Sequence, residues 1–115
     1  MKKYTQTHEW IEVNGEIATV GVSDFAQCEL GEVVYVELPE ENKELEAGGE
    51  AAVLESTKAA ADVYAPIAGT ITEVNSTLED SPELVNESPE GEGWIFKMKI
   101  GDASQLDQLL DEDPQ

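Results

Sequence analysis

The chain has 115 residues, enough for one domain with a single hydrophobic core, and we expect residues 1–115 to form that domain. It carries 26 acidic and 6 basic side chains, so its formal net charge is −20 at pH 7. A surface of this charge repels the phosphates of nucleic acids and the head groups of anionic membranes, so neither is expected as a partner. No apolar run in the sequence is long enough to span a bilayer.

Few residues are suited to catalysis or to metal binding. The single Cys28 cannot form an internal disulfide and is predicted to be buried on a helix, and the single His8 has no second histidine with which to share a metal. Residues 1–3 lead into a polar segment, so no signal peptide is predicted. We therefore expect a non-catalytic protein of the bacterial cytoplasm, or of the mitochondrial matrix if a transit peptide has been removed.

The first third of the chain has patterns typical of a hairpin and a short helix. Apolar residues alternate on both sides of Asn14-Gly15, which predicts strands at about 9–13 and 16–22 joined by a type I′ turn. A helix is predicted over 24–30, because an N-capping Ser precedes it and Gly31 follows it.

Short strands separated by turn signals continue through the rest of the chain and favour a small antiparallel β barrel or sandwich. The aromatic side chains Trp10, Phe25, Trp94 and Phe96 are expected in its core. The remaining predicted elements are a strand at 33–38, a charged loop at 40–46, a hairpin at about 51–65, a strand at 70–74, short helical turns within 76–86, a near-central strand at 94–100 and an amphipathic helix at 103–110 after an N-cap at Asp102.

The hairpin at about 51–65 carries the candidate site. Two short runs that suit strands flank small and polar residues, and Lys58 is placed at the tip beside three alanines that cannot shield it. We expect this side chain to project into solvent. By itself, an exposed lysine in a turn is typical of ordinary solvated surface.

The segments around this lysine resemble those of the glycine cleavage system H proteins. E-S-T-K-A at 55–59 is followed by D-V-Y-A-P-I-A-G-T-I, and Thr57 and Ala59 do not fit the methionines that usually flank a biotinyl lysine. Further similar segments follow in the order of that family: T-H-E-W (7–10), A-T-V-G-V (18–22), G-E-V-V-Y-V-E-L-P (31–39), L-E-D-S-P-E-L-V-N (78–86) and G-E-G-W-I (91–95).

This resemblance implies a mostly β, lipoyl/biotinyl-type hybrid barrel-sandwich with lipoate attached covalently to Lys58. It implies that Glu55 is recognised by the lipoylating enzyme, and that Glu9 and Asp62 contact the aminomethyl-loaded arm. At Glu29, some relatives have a histidine near the arm. The implied partners of this monomeric carrier are a pyridoxal-phosphate glycine decarboxylase, a tetrahydrofolate-dependent aminomethyltransferase and dihydrolipoamide dehydrogenase.

Two alternatives remain open from the residues. One is an H-like lipoyl carrier that serves a different enzyme or donates lipoate to other complexes. The other is an unmodified β domain that binds a partner through its acidic surface.

Overall fold

The computed structural model describes residues 2–114, which fold into nine β-strands, three short α-helices and one 3₁₀ helix. The mostly β class predicted from the sequence is therefore confirmed. The strands are β1 (Lys2–Tyr4), β2 (Glu9–Asn14), β3 (Ile17–Val22), β4 (Val33–Glu37), β5 (Glu44–Leu45), β6 (Glu50–Ser56), β7 (Ala60–Tyr64), β8 (Gly69–Val74) and β9 (Phe96–Ile100). The α-helices are α1 (Asp24–Leu30), α2 (Thr77–Asp80) and α3 (Leu84–Glu87), and the 3₁₀ helix is Ala103–Gln108.

The strands form two antiparallel sheets that share one hydrophobic core. The larger sheet has the order β1-β2-β3-β9-β8-β5, and the smaller sheet has the order β4-β6-β7. Strand β9 lies between β3 and β8, which confirms its predicted near-central position. Side chains from both sheets, such as Met98 of β9 and Leu54 of β6, belong to the same buried cluster. The arrangement is an open sandwich and not a closed barrel.

The predicted short helix is confirmed with its caps. Helix α1 begins after Ser23, whose side chain accepts a hydrogen bond from the Ala26 N–H, and it ends at Gly31, where φ is +87°. The prediction that Cys28 is buried is wrong, since its side chain is exposed. Ala26 and Leu30, four residues apart, face the core, and this places Cys28 on the solvent side of the helix.

The turn of the first hairpin differs from the prediction by one residue. Asn14 pairs with Ile17, so the two central residues are Gly15 and Glu16. Only Gly15, at +68°, has a positive φ. This is the pattern of a type II′ turn, whereas a type I′ turn centred on Asn14-Gly15 was predicted.

The C-terminal element is shorter and tighter than the predicted helix at 103–110. Asp102 caps it, as predicted, by accepting a hydrogen bond from the Ser104 N–H, but the element is a 3₁₀ helix that ends at Gln108. Leu110 instead exchanges two backbone hydrogen bonds with Tyr4, at 2.7 and 2.8 Å. This pairing with the N-terminal strand prevents the helix from continuing.

Two strands occur where none was predicted, and two aromatic side chains lie nearer the surface than predicted. Strand β1 pairs with β2, and the two-residue β5 lies within the segment predicted as a charged loop. Trp10 and Phe96 are buried, as predicted, whereas Phe25 and Trp94 are only partly buried. Phe25 packs against the ring of His8 instead, with the two ring centres 4.6 Å apart.

None of the helices within residues 2–114 is long and apolar enough to cross a membrane. Over the same residues, no three His, Cys, Asp or Glu side chains are grouped so that they could hold a metal ion.

Candidate functional site

The turn that carries Lys58 joins β6 to β7 and is closed by hydrogen bonds from Ser56. The Ser56 N–H donates to the Ala59 carbonyl at 2.8 Å, and the Ser56 hydroxyl oxygen accepts from the N–H groups of Lys58 and Ala59 at 3.1 and 3.0 Å. The central residues are Thr57 and Lys58, and neither has a positive φ, so the turn is not of type I′ or II′. The serine side chain supplies the bonds that hold this less common hairpin turn in shape.

A backbone hydrogen bond ties the turn to the segment after helix α1. The Thr57 N–H donates to the carbonyl of Glu32 at 3.1 Å. That segment is itself fixed by Asn86, whose side chain accepts from the Val33 N–H and donates to the Gly31 carbonyl, both at 2.8 Å. The turn is therefore hydrogen-bonded to the body of the fold and is not a free loop.

The Lys58 side chain is exposed, as predicted, but its stem lies over Gly31. A Cβ atom at position 31 would be only 2.7 Å from Cε of Lys58. Gly31 also has a φ of +87°, which residues with a side chain rarely adopt. The glycine therefore ends the helix, as predicted, and also leaves room for the lysine stem, which was not predicted.

A cleft of about 80 Å³ is lined in part by residues that follow the turn on β7 and by the residue before Gly31. It contains Leu30, which precedes Gly31, and Ala61, which is three residues after Lys58. Two of the acidic residues selected from the sequence, Glu9 and Asp62, both line it. The full lining consists of Thr7, Glu9, Val22, Ala26, Leu30, Leu54, Ala61, Asp62 and Val63, so the walls are mainly apolar.

Glu9 is a buried acid that is held by neutral hydrogen-bond donors. Its side chain is 2% exposed, and one carboxylate oxygen accepts from the hydroxyl groups of Thr5 and Thr7, each at 2.5 Å. The other oxygen accepts from the Tyr64 N–H at 3.4 Å. Burial raises the pKa of the Glu9 carboxyl, and these hydrogen bonds oppose the rise. None of the three ion pairs found within residues 2–114 includes it.

Thr7 and Glu9 also line a second and larger cavity of about 390 Å³, which includes Tyr4, Tyr64 and Leu110. Glu9 thus forms part of the wall between the small cleft and this cavity. Neither the two threonine donors nor the larger cavity was predicted, because the segment before β2 has no pattern in the sequence that distinguishes it from an ordinary polar turn.

The remaining acidic candidates lie outside the cleft. Glu55 is exposed on β6, where it pairs with Tyr35 on one side and with Ala60 on the other. Glu29 is exposed on helix α1. Glu9 and Asp62 therefore line the cleft, whereas Glu55 and Glu29 do not.

The raised pKa of Glu9 predicts a specific dependence of stability on pH. The folded protein binds this proton more tightly than the unfolded chain, in which the carboxyl titrates near its usual pKa of about 4.3. The stability that Glu9 contributes is therefore complete below that pH and is lost as the pH rises through the folded-state pKa. Relative to wild type, Glu9→Gln should gain stability as the pH is raised from about 4 to 7, as measured by urea unfolding.

Glu12→Gln is the matched control, because Glu12 is an exposed carboxylate on the same strand and its replacement changes the net charge equally. If the free energy of unfolding depends on pH in the same way in both variants, burial of the Glu9 carboxyl does not contribute to the pH dependence of stability.

Comparison with known proteins supports the resemblance noted in the sequence. A family model described as glycine cleavage H-protein matches residues 2–115. The chain is 57% identical over 112 residues to the glycine cleavage system H protein of Thermotoga maritima, a match that covers 97% of this chain and 90% of the relative. It is 56% identical over 110 residues to that of Xanthobacter autotrophicus, with 96% and 88% covered.

A solved structure agrees in fold as well as in sequence. The crystal structure of a glycine cleavage system H protein from Mycobacterium marinum superposes with a TM-score of 0.80 at 34% identity, and covers 93% of this chain and 94% of the other. The fold and the sequence thus lead to the same assignment, and the chain belongs to the glycine cleavage H-protein family.

Proposed function

We propose that this chain is the lipoyl carrier of a glycine cleavage system and that lipoate is attached through an amide to Nζ of Lys58. The observation that carries the proposal is a turn, fixed by hydrogen bonds, that presents an exposed lysine beside a cleft with two acidic residues. Membership of the glycine cleavage H-protein family supports it.

The residues around Lys58 suit an acylated lysine. The amine is accessible to a modifying enzyme, and the rigid turn presents it in one geometry, which favours selection of this lysine over the other five. Amide formation removes the positive charge, so the stem of the modified lysine can lie against the apolar wall that Leu30 and Ala61 provide. Bound lipoate supplies a disulfide for thiol exchange, which none of this chain's own side chains offers.

The two acids at the cleft have different roles in this proposal. An aminomethyl group is cationic at neutral pH, and Glu9 is a buried carboxyl that has hydrogen-bond donors but belongs to no ion pair among the described residues. Asp62 is exposed at the edge of the same cleft, where solvent weakens its attraction. Glu9 therefore provides the stronger contact for the amine, and Asp62 guides it into the cleft.

Glu55 is assigned to recognition by the lipoylating enzyme. It is exposed three residues before Lys58 and lies outside the cleft, so it is free to contact an approaching protein. The proposed partners are this enzyme, a pyridoxal-phosphate glycine decarboxylase, a tetrahydrofolate-dependent aminomethyltransferase and dihydrolipoamide dehydrogenase. The chain acts as a monomeric, non-catalytic carrier in the cytoplasm.

Acylation of Lys58 is the most direct test. Purified protein incubated with a lipoate ligase, lipoate and ATP should gain a single lipoyl group, and peptide mapping should locate it on Lys58. Lys58→Arg, which keeps the charge but removes the acylatable amine, should gain none. Lys43→Arg, a change at another exposed lysine, should behave like wild type.

Modification of a different lysine would overturn the assignment of the site. Failure of the lipoylated protein to support glycine cleavage with the other three enzymes, despite correct modification, would favour the H-like carrier that serves another system.

The role of the cleft acids predicts how long the aminomethyl group survives. Once the carrier is loaded, Glu9→Gln should lose the group about tenfold faster than wild type, because a hydrogen bond between the amine and a charged carboxylate is worth on the order of 1.5 kcal/mol. Asp62→Asn should have a smaller effect. The measurement is the rate of loss from the isolated carrier, and a rate for Glu9→Gln no faster than that of the exposed control Glu12→Gln would refute the assignment.

A further inference from the structure

Two large apolar side chains are exposed next to each other on strand β4. Val34 and Tyr35 are each 50% exposed, and among residues 2–114 the only other exposed large apolar side chain is Ile17, at 37%. We refer to Val34 and Tyr35 as the β4 patch. Exposed apolar area has no benefit for folding, so a concentration of it on one strand suggests a contact with another molecule.

The β4 patch results from a β-bulge. Regular alternation along a strand would turn one of two consecutive residues toward the core. In β4, Val33 pairs with Ser56 and Tyr35 pairs with Glu55, so Val34 is an extra residue. Val33 and Val36 on either side are both only 2% exposed. The bulge thus keeps the core contacts of the strand while leaving two neighbouring side chains outside.

The β4 patch lies at the end of the small sheet that carries Lys58. Its strand is the direct neighbour of β6, and the Val33–Ser56 pair places the patch beside the residue that opens the lysine turn. In addition, the hydrogen bond from the Thr57 N–H to the Glu32 carbonyl connects the turn to the residue just before β4. A molecule that binds around the turn therefore contacts the β4 patch as well.

Acidic side chains surround the β4 patch. Glu32, Glu37 and Glu55 are exposed, and none of them takes part in the three ion pairs found within residues 2–114. An apolar centre with a charged rim is the usual organisation of a protein-binding surface, and tyrosine is among the residues enriched at the energetic centre of such surfaces. The free carboxylates favour a partner surface that carries Arg and Lys.

We propose that the β4 patch is the apolar centre of the surface that docks the enzyme which acylates Lys58. This rests on the proposed function of Lys58. The amine of the unmodified lysine is one side chain's length from the backbone, and its stem lies over Gly31. An enzyme that brings an acyl donor to this nitrogen must contact the strands beside the turn, whereas an enzyme that acts on the far end of a long acyl arm need not. The matching surface on the enzyme is an apolar pocket bordered by basic side chains.

The test compares rates of lipoylation as the carrier concentration is varied, with a bacterial lipoate ligase, lipoate and ATP. Tyr35→Ser should lower kcat/KM about tenfold, mainly by raising KM, because tyrosine at the centre of an interface is among the residues whose truncation weakens binding most. Tyr35→Phe should stay close to wild type. Ile17→Thr is the matched control, since it removes an exposed apolar side chain from the other sheet, and it should leave kcat/KM unchanged.

The outcomes separate this inference from the proposed function. If wild type is acylated on Lys58 but Tyr35→Ser and Ile17→Thr have equal kcat/KM, the docking role of the β4 patch is overturned and the carrier function stands. If wild type is not acylated on Lys58, the carrier function itself fails. If sedimentation shows that wild type self-associates and that Tyr35→Ser abolishes this, the patch binds a second copy of the chain, which also overturns the inference. Equal urea-unfolding midpoints for the three variants and wild type show that a change in kcat/KM does not come from a loss of stability.

Discussion

The placement of Lys58 depends on hydrogen bonds that fix one turn to the body of the fold. A lysine at the end of a hairpin would ordinarily sample many orientations, but here the Thr57 N–H is bound to the Glu32 carbonyl and the Ser56 side chain closes the turn from within. Each bond is worth only about 1 kcal/mol, yet together they restrict the backbone to one conformation before any partner arrives. The position of Lys58 is therefore set by the folded protein.

The same site contains a group whose burial opposes folding. Glu9 is buried and takes part in none of the ion pairs found among the described residues. Its charged form is stabilised mainly by two threonine hydroxyl groups and one backbone N–H, with a smaller contribution from His8. A protein of net charge −20 has abundant carboxylates at its surface, so burying another costs free energy that the fold could avoid. Such a cost is consistent with a site whose positive partner is brought by the cargo.

Local patterns predicted the parts of this molecule that depend on neighbours in sequence. The caps of helix α1, the hairpin that contains Lys58 and the central strand near the C-terminus all have such patterns, and each was found. Contacts between distant segments left no signal: the pairing of Leu110 with Tyr4 shortened the predicted C-terminal helix, and the course of Lys58 over Gly31 was not foreseen. Glu9 and Asp62 were selected through family resemblance alone, and only the fold shows that they share a cleft.

In the unmodified protein the lysine turn is already formed. Hydrogen exchange measured by NMR on the backbone N–H groups of Thr57 and Ala59 provides the test. We expect both to exchange at least about a hundredfold more slowly than in an unstructured peptide, and Ser56→Ala to remove most of the protection at Ala59. If both groups exchange at the rate of an unstructured peptide in the unmodified protein, the turn is not preformed and takes shape only when an enzyme binds it.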